Sequence, residues 1–98
     1  MKKLHSIFTD DLDTCIISGY AGGVERHHVF GGARKALSEK YGFIAPLRPD
    51  LHPNGAHSTW SPEIAEIDKR LKEDCQKWYE ENIGSREDFI NEFGKGYL

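Results

Sequence analysis

The chain lacks any long apolar run and is sparing in cysteine. No stretch approaches the ~20 apolar residues of a membrane-spanning helix, and the basic start at Lys2 and Lys3 is not followed by the apolar core of a signal peptide. Its two cysteines, Cys15 and Cys75, lie far apart, which excludes a secreted disulfide framework and a paired-cysteine zinc knuckle. We therefore expect a soluble cytoplasmic protein with no membrane partner.

The length predicts one domain. The chain has 98 residues, and a domain usually holds roughly 100 to 200. Residues 1–14 show no sustained hydrophobic period and contain three aspartates, which predicts an extended or poorly ordered lead-in. Residues 15–98 would form the single domain. A core this small benefits from a bound metal or a partner subunit.

The charge is unevenly distributed. The whole chain carries a net charge of −3, but residues 26–48 hold five basic residues and one acidic residue, Glu39. Because salt screens charge over about 8 Å, attraction to phosphate depends on such a local surplus. Scattered lysine and arginine on a solvated surface would give the same count. The candidate nucleic-acid-binding residues are Arg26, Arg34, Lys35, Lys40 and Arg48.

The first half of the domain has the composition of short strands and turns. An apolar run at 15–17 and a glycine-rich reversal at 18–23 precede strand-like residues 24–30, which predicts a hairpin whose second strand carries His27 and His28 on opposite faces. Residues 33–41 have helical spacing and end at Gly42. Residues 43–47 predict a short or edge strand because of Pro46, and residues 48–60 predict a loop.

The second half predicts two helices. Ser61 is a suitable N-cap and Pro62 a suitable first helical residue. Apolar residues then recur at steps of three and four, which makes Cys75 a core residue, and Gly84 ends this helical region. Residues 85–93 predict a final helix that stops at Gly94. Its predicted buried side consists of Phe89, Ile90 and Phe93. Together these elements predict an α+β fold.

Four of the five histidines fall between positions 26 and 57: His27, His28, His52 and His57. Imidazole binds divalent transition metals and titrates near neutral pH, so one cluster can hold an ion and supply a base. Hydrolysis of a phosphodiester needs both functions. Any one of these histidines taken alone is more often a chance surface residue than a site residue. The pair, the double glycine, the basic segment and the two later histidines together favour a site.

These residues also resemble a known family. The runs His27-His28-Val29-Phe30-Gly31-Gly32-Ala33 and Ser38-Glu39-Lys40-Tyr41-Gly42, with the terminal Phe93-Gly94-Lys95-Gly96-Tyr97-Leu98, resemble small HNH endonucleases of bacterial phages and prophages, of the ββα-metal (His-Me finger) type. The resemblance implies a two-stranded hairpin packed on a helix, with additional C-terminal helices here. It implies cleavage of DNA in the host cytoplasm with one divalent ion, Mg²⁺, Mn²⁺, Ni²⁺ or Zn²⁺.

The resemblance also implies roles for the histidines. His28 would be the general base, His27 and His52 would bind the metal ion, and His57 would be a further candidate ligand. The mechanism it implies is attack on phosphorus by a water molecule that His28 has deprotonated, while the ion stabilises the departing 3′ oxygen. The five basic residues named above would hold the DNA backbone and carry little sequence information.

The sequence departs from that family in two places. Relatives often carry a Cys-x-x-Cys pair before the histidines, but here Ser18 stands three residues after Cys15, and Arg48 and Leu51 occupy places where other metal-binding residues might stand. A closed zinc site usually needs four ligands, so we expect no separate zinc knuckle. The middle asparagine of the HNH motif, which orients the base histidine in relatives, has no obvious counterpart, and a backbone carbonyl could orient His28 instead.

Three alternatives stay open at this point. The protein could be a catalytically decayed relative that binds nucleic acid with the same basic residues and uses a metal only for stability. It could be a phage accessory protein that docks a partner through Trp78 and Tyr79 of the long helix. A homodimer is a further open arrangement, since cutting both strands often needs two subunits.

Overall fold

The computed structural model describes residues 4–53, 55 and 58–98. In this part of the chain, strands β1 (Glu25–His28) and β2 (Ile44–Leu47) form an antiparallel sheet. The helices are α1 (Lys35–Tyr41), α2 (Pro62–Asn82) and α3 (Arg86–Phe93), with short 3-10 turns at Gly32–Arg34 and Pro49–Leu51. The predicted α+β class is confirmed. No helix of the described residues is both long enough and apolar enough to cross a bilayer.

The predicted partner of the histidine strand was wrong. β1 pairs with β2, with His27 opposite Ala45 and His28 opposite Ile44, and not with residues 15–17. Those residues form a tight turn in which the Cys15 N–H donates to the Tyr20 carbonyl at 2.8 Å. Only the Ile16 N–H reaches the sheet, donating to the Pro46 carbonyl at 3.1 Å. β2 is the better partner because all four of its residues are buried.

The connection between the strands is fixed by buried polar contacts. The buried Ser38 hydroxyl of α1 accepts from the Phe30 N–H at 3.0 Å and donates to the Phe30 carbonyl at 2.7 Å. α1 then ends at Gly42, whose φ of +78° favours glycine. Residues 4–14 contain no helix or strand, but the Ile7 N–H donates to the Gly42 carbonyl at 2.8 Å.

Helices α2 and α3 begin where the sequence predicted, whereas α1 begins at Lys35 and not at residue 33, because the chain first makes a 3-10 turn at Gly32–Arg34. The Ser61 hydroxyl accepts the Ile64 N–H of α2, and Ser85 forms a capping box with Asp88 at the start of α3. α2 buries its apolar stripe in the core and contacts α3, and Cys75 is fully buried as predicted. Burial raises the pKa of the Cys75 thiol, which makes it an unreactive core residue.

Aromatic rings dominate the core. Phe89 and Phe93 of α3 stack with their centroids 4.6 Å apart, and Phe30 lies 4.6 Å from Phe93. The predicted burial of Ile90 was wrong, since this side chain is 38% exposed. The core takes the i and i+4 residues of α3, and position 90 points about 100° away from Phe89.

The same core bears on the docking alternative. Tyr79 is only 2% exposed, and its hydroxyl donates to the Glu92 carboxylate. Trp78 packs edge-on against Phe43 with centroids 5.8 Å apart. Tyr79 is therefore a core residue, and a partner could not dock on it without disrupting the fold.

Candidate active site

The fold brings His27 and His52 together. His27 lies on β1, His52 follows the turn after β2, and their ring centroids are 4.7 Å apart at an interplanar angle of 67°. They line a pocket of about 310 Å³ between β1 and α2, which we call the histidine pocket. The pocket is lined by Arg26, His27, His28, Val29, Gly31, His52, Pro53, Asp68 and Lys72.

His27 is held neutral. The residue is 8% exposed, and this burial lowers its pKa from 6.5 to about 3, with smaller electrostatic contributions from the neighbouring His52, Lys72 and His28. Its buried Nε2 has no hydrogen-bond partner among the described residues. Buried polar atoms are nearly always paired, and a metal ion requires an unprotonated imidazole nitrogen. His27 therefore has the properties of a metal ligand.

His52 is oriented by a carboxylate. Its Nδ1 lies 2.5 Å from Oε1 of Glu25. Glu25 stands two residues before His27 on β1 and so shares its face of the strand. In metal sites a carboxylate that accepts one ring N–H directs the lone pair of the other nitrogen at the ion. The Glu25 contact thus leaves the lone pair of His52 Nε2 available to bind a metal ion.

His28 is held by a second carboxylate. Its Nε2 lies 3.0 Å from Oε2 of Glu39, which α1 supplies. The orienting partner is therefore a side chain and not the backbone carbonyl that the sequence suggested. Although neighbouring strand residues alternate between faces, His28 ends β1 and also lines the histidine pocket.

The basic residues are spread over several surfaces. Arg26 lines the histidine pocket and pairs with Asp13 at 3.0 Å, and Arg34 lines a smaller pocket beside it. Lys35 and Lys40 are exposed on α1. Arg48 pairs with Asp50 at 2.5 Å and does not line the histidine pocket.

α2 contributes two charged residues that sequence reasoning missed. Asp68 and Lys72 line the pocket and pair with each other at 2.9 Å. The sequence could have indicated them, because residues four apart share one side of a helix and these two lie beside the buried Leu71. Glu25 and Glu39 were missed as well. The signal for Glu25 was its spacing of two from His27, and for Glu39 its position as the only acid in the basic segment.

The residues present fit a divalent ion in part. His27 and His52 supply two imidazoles, the preferred donors for several transition metals. Among the described residues, however, no three histidine, cysteine, aspartate or glutamate side chains group closely enough to hold an ion. The remaining candidate ligand, His57, lies outside the described residues.

No protein-family model, curated protein or solved structure matches this chain.

Proposed function

We propose that the protein is a metal-dependent endonuclease of the HNH type that hydrolyses DNA phosphodiester bonds. The observation that carries the proposal is the buried, unpaired Nε2 of His27 beside His52, with His28 next to it in the same pocket. The antiparallel pairing of β1 and β2 and the contact of α1 with β1 support it, since the resemblance implies a two-stranded hairpin packed on a helix, although here α1 lies between the two strands in the sequence.

His27 and His52 would hold the ion, with His57 as a further candidate ligand. When bound, a divalent ion neutralises charge on the phosphate and on the departing 3′ oxygen. His27 contributes a ring that stays unprotonated well below neutral pH, because burial lowers its pKa to about 3. His52 contributes a ring whose direction is set by Glu25.

His28 would act as the general base. Because its Nε2 faces the Glu39 carboxylate, the neutral ring carries its proton there, and Nδ1 is left to accept the proton of the attacking water. Glu39 then stabilises the imidazolium that forms. A positioned base of this kind contributes about 10²- to 10⁴-fold to the rate.

Arg26 and Lys72 lie at the same pocket and would hold the phosphate that is cut. Each is paired with an aspartate, Asp13 or Asp68, that a bound phosphate would partly replace. Contacts of this kind fix the position of the strand and do not read its sequence. We therefore expect little sequence preference.

Cleavage of plasmid DNA by metal-stripped protein tests the proposal. Mg²⁺, Mn²⁺, Ni²⁺ or Zn²⁺ is added back singly, and nicking or linearisation should require one of them. His28→Ala should lose about 10²- to 10⁴-fold in rate. His5→Ala is the matched control, since His5 lies beside Gly42 and away from the site, and it should cleave normally. No cleavage by folded protein with any ion would contradict the proposal.

A second candidate is a nucleic-acid-binding module that does not cut. The described residues place no third ligand beside His27 and His52, which favours it. Binding of DNA without cleavage under every ion would support this candidate over the nuclease.

A further inference from the structure

A second pocket adjoins the histidines. It has a volume of about 170 Å³ and lies between the end of β1 and the C-terminal tail. We call it the arginine pocket. It is lined by Gly31, Arg34, Lys72 and Tyr97, and by the rings of Phe30 and Phe93.

Arg34 brings an unsatisfied donor to this pocket. Its Nε is buried and has no hydrogen-bond partner among the described residues. A guanidinium stays charged in proteins and cannot relieve the cost by losing its proton, so a buried N–H without an acceptor is unfavourable. The side chain is closely confined, since a Cβ added at Gly94 would lie 2.6 Å from its Nη2. An anionic oxygen held by this guanidinium would accept charge-assisted hydrogen bonds.

The surroundings favour an anion. Within the described part of the chain, no acidic residue lines the arginine pocket. Lys72 and Lys95 place their Nζ atoms 5.7 and 5.2 Å from the Tyr97 ring centroid, so two more cations stand near Arg34. Asp68, which pairs with Lys72, lines the histidine pocket instead. Charge-assisted bonds from arginine and lysine are the usual means of holding phosphate.

The arginine pocket is continuous with the proposed catalytic site. Val29, Gly31 and Lys72 line both pockets. A nucleic-acid strand that places one backbone phosphate at the histidines would therefore place a neighbouring phosphate near Arg34. We propose that the arginine pocket is a phosphate subsite that binds the nucleic-acid backbone next to the bond that is cut. The subsite rests on the proposed function only in taking the bound strand to be the substrate.

The test is binding without cleavage. A fluorescent single-stranded oligothymidylate is titrated with metal-free protein in EDTA, and its anisotropy is followed. Arg34→Met and Lys72→Met should each weaken binding about tenfold, the size expected for loss of a charge-assisted hydrogen bond. The slope of log K against log salt should become shallower by about 0.7 for each phosphate of the single strand that a variant no longer neutralises.

Matched controls separate the pocket from general charge loss. Lys77→Met removes the same charge from an exposed position of α2, and Arg70→Met removes a guanidinium from the side of α2 that faces Ile17. Both should bind within about twofold of wild type, because neither residue lines the arginine pocket. Equal losses in controls and pocket variants, or no loss in Arg34→Met, would overturn the subsite.

NMR covers the case in which Arg34→Met fails to fold. The Arg34 Nε–H resonance of the wild-type protein should shift saturably with the oligothymidylate, because Nε is the donor that lacks an acceptor. No shift at saturation would overturn the subsite. Inorganic phosphate is titrated in parallel and should compete with the strand. If phosphate shifts the resonance and the strand does not, the pocket binds a free phosphate and the backbone assignment is wrong.

The outcome is separable from that of the nuclease proposal. Binding that depends on Arg34, from protein that never cleaves, would retain the subsite and remove the nuclease. Cleavage by Arg34→Met at the wild-type KM and rate would retain the nuclease and remove the subsite.

Discussion

Acid should destabilise the metal-free protein through His27. Burial lowers the pKa of His27 from 6.5 to about 3 in the folded chain. Between these values the unfolded chain binds a proton that the folded chain does not, so the free energy of unfolding falls as the pH drops below about 6.5. The difference between pH 5 and the unfolded-state pKa of 6.5 is about 1.5 units, which corresponds to a loss of about 2 kcal/mol in the free energy of unfolding at 1.36 kcal/mol per unit.

Urea denaturation at pH 7 and pH 5, in EDTA, measures this loss. Wild type should lose about 2 kcal/mol more between the two pH values than His27→Gln, whose amide does not titrate. Hydrogen bonds lower the pKa of carboxyls such as Asp11 and Asp50, so their contribution to stability is lost only below about pH 5. That contribution is the same in both proteins and cancels in the comparison. Equal pH dependence in the two proteins would refute the idea that His27 is buried in its neutral form.

Three further changes test separate parts of the structure. Glu25→Gln should weaken metal binding about 10- to 100-fold in calorimetry, because His52 loses its orienting carboxylate; unchanged affinity would remove that role. Glu39→Gln should slow cleavage about 10- to 100-fold and alter its pH profile while metal affinity stays the same, because Glu39 pairs with the proposed base His28. A loss of metal affinity would count against this division of roles. Phe89→Ala should cost about 3 to 5 kcal/mol in urea denaturation, since the side chain is fully buried between Phe30 and Tyr79; a loss below about 1 kcal/mol would contradict its place in the core.

Local signals predicted the helices well. Ser61 and Gly94 mark a helix start and a helix end because capping depends on residues only a few positions apart. Strand pairing is different, since the partner of β1 is chosen by burial across the whole chain. The apolar run at 15–17 was the nearer candidate, but it closes a tight turn with Tyr20, and β2 offers a strand that is buried throughout.

The histidines of the candidate site could be proposed from the sequence, but the residues around them could not. His27 and His52 stood out because imidazole is uncommon and chemically distinctive. Their partners are ordinary charged residues from distant positions, such as Glu39 on α1 and Lys72 on α2. Only the fold shows which of the many acids and bases lie beside a histidine. This is also why Arg48 could not be separated from Arg26 by sequence alone.

The most direct test of the proposed site is to measure metal binding and DNA cleavage on the same preparations of His28→Ala and His27→Ala. We predict that His28→Ala binds the ion as wild type does and fails to cleave, because in the proposed mechanism His28 moves a proton and does not hold the metal. His27→Ala should lose both metal binding and cleavage. Cleavage by His28→Ala at the wild-type rate would contradict the proposed site, and loss of the ion from that variant would exchange the roles of the two histidines.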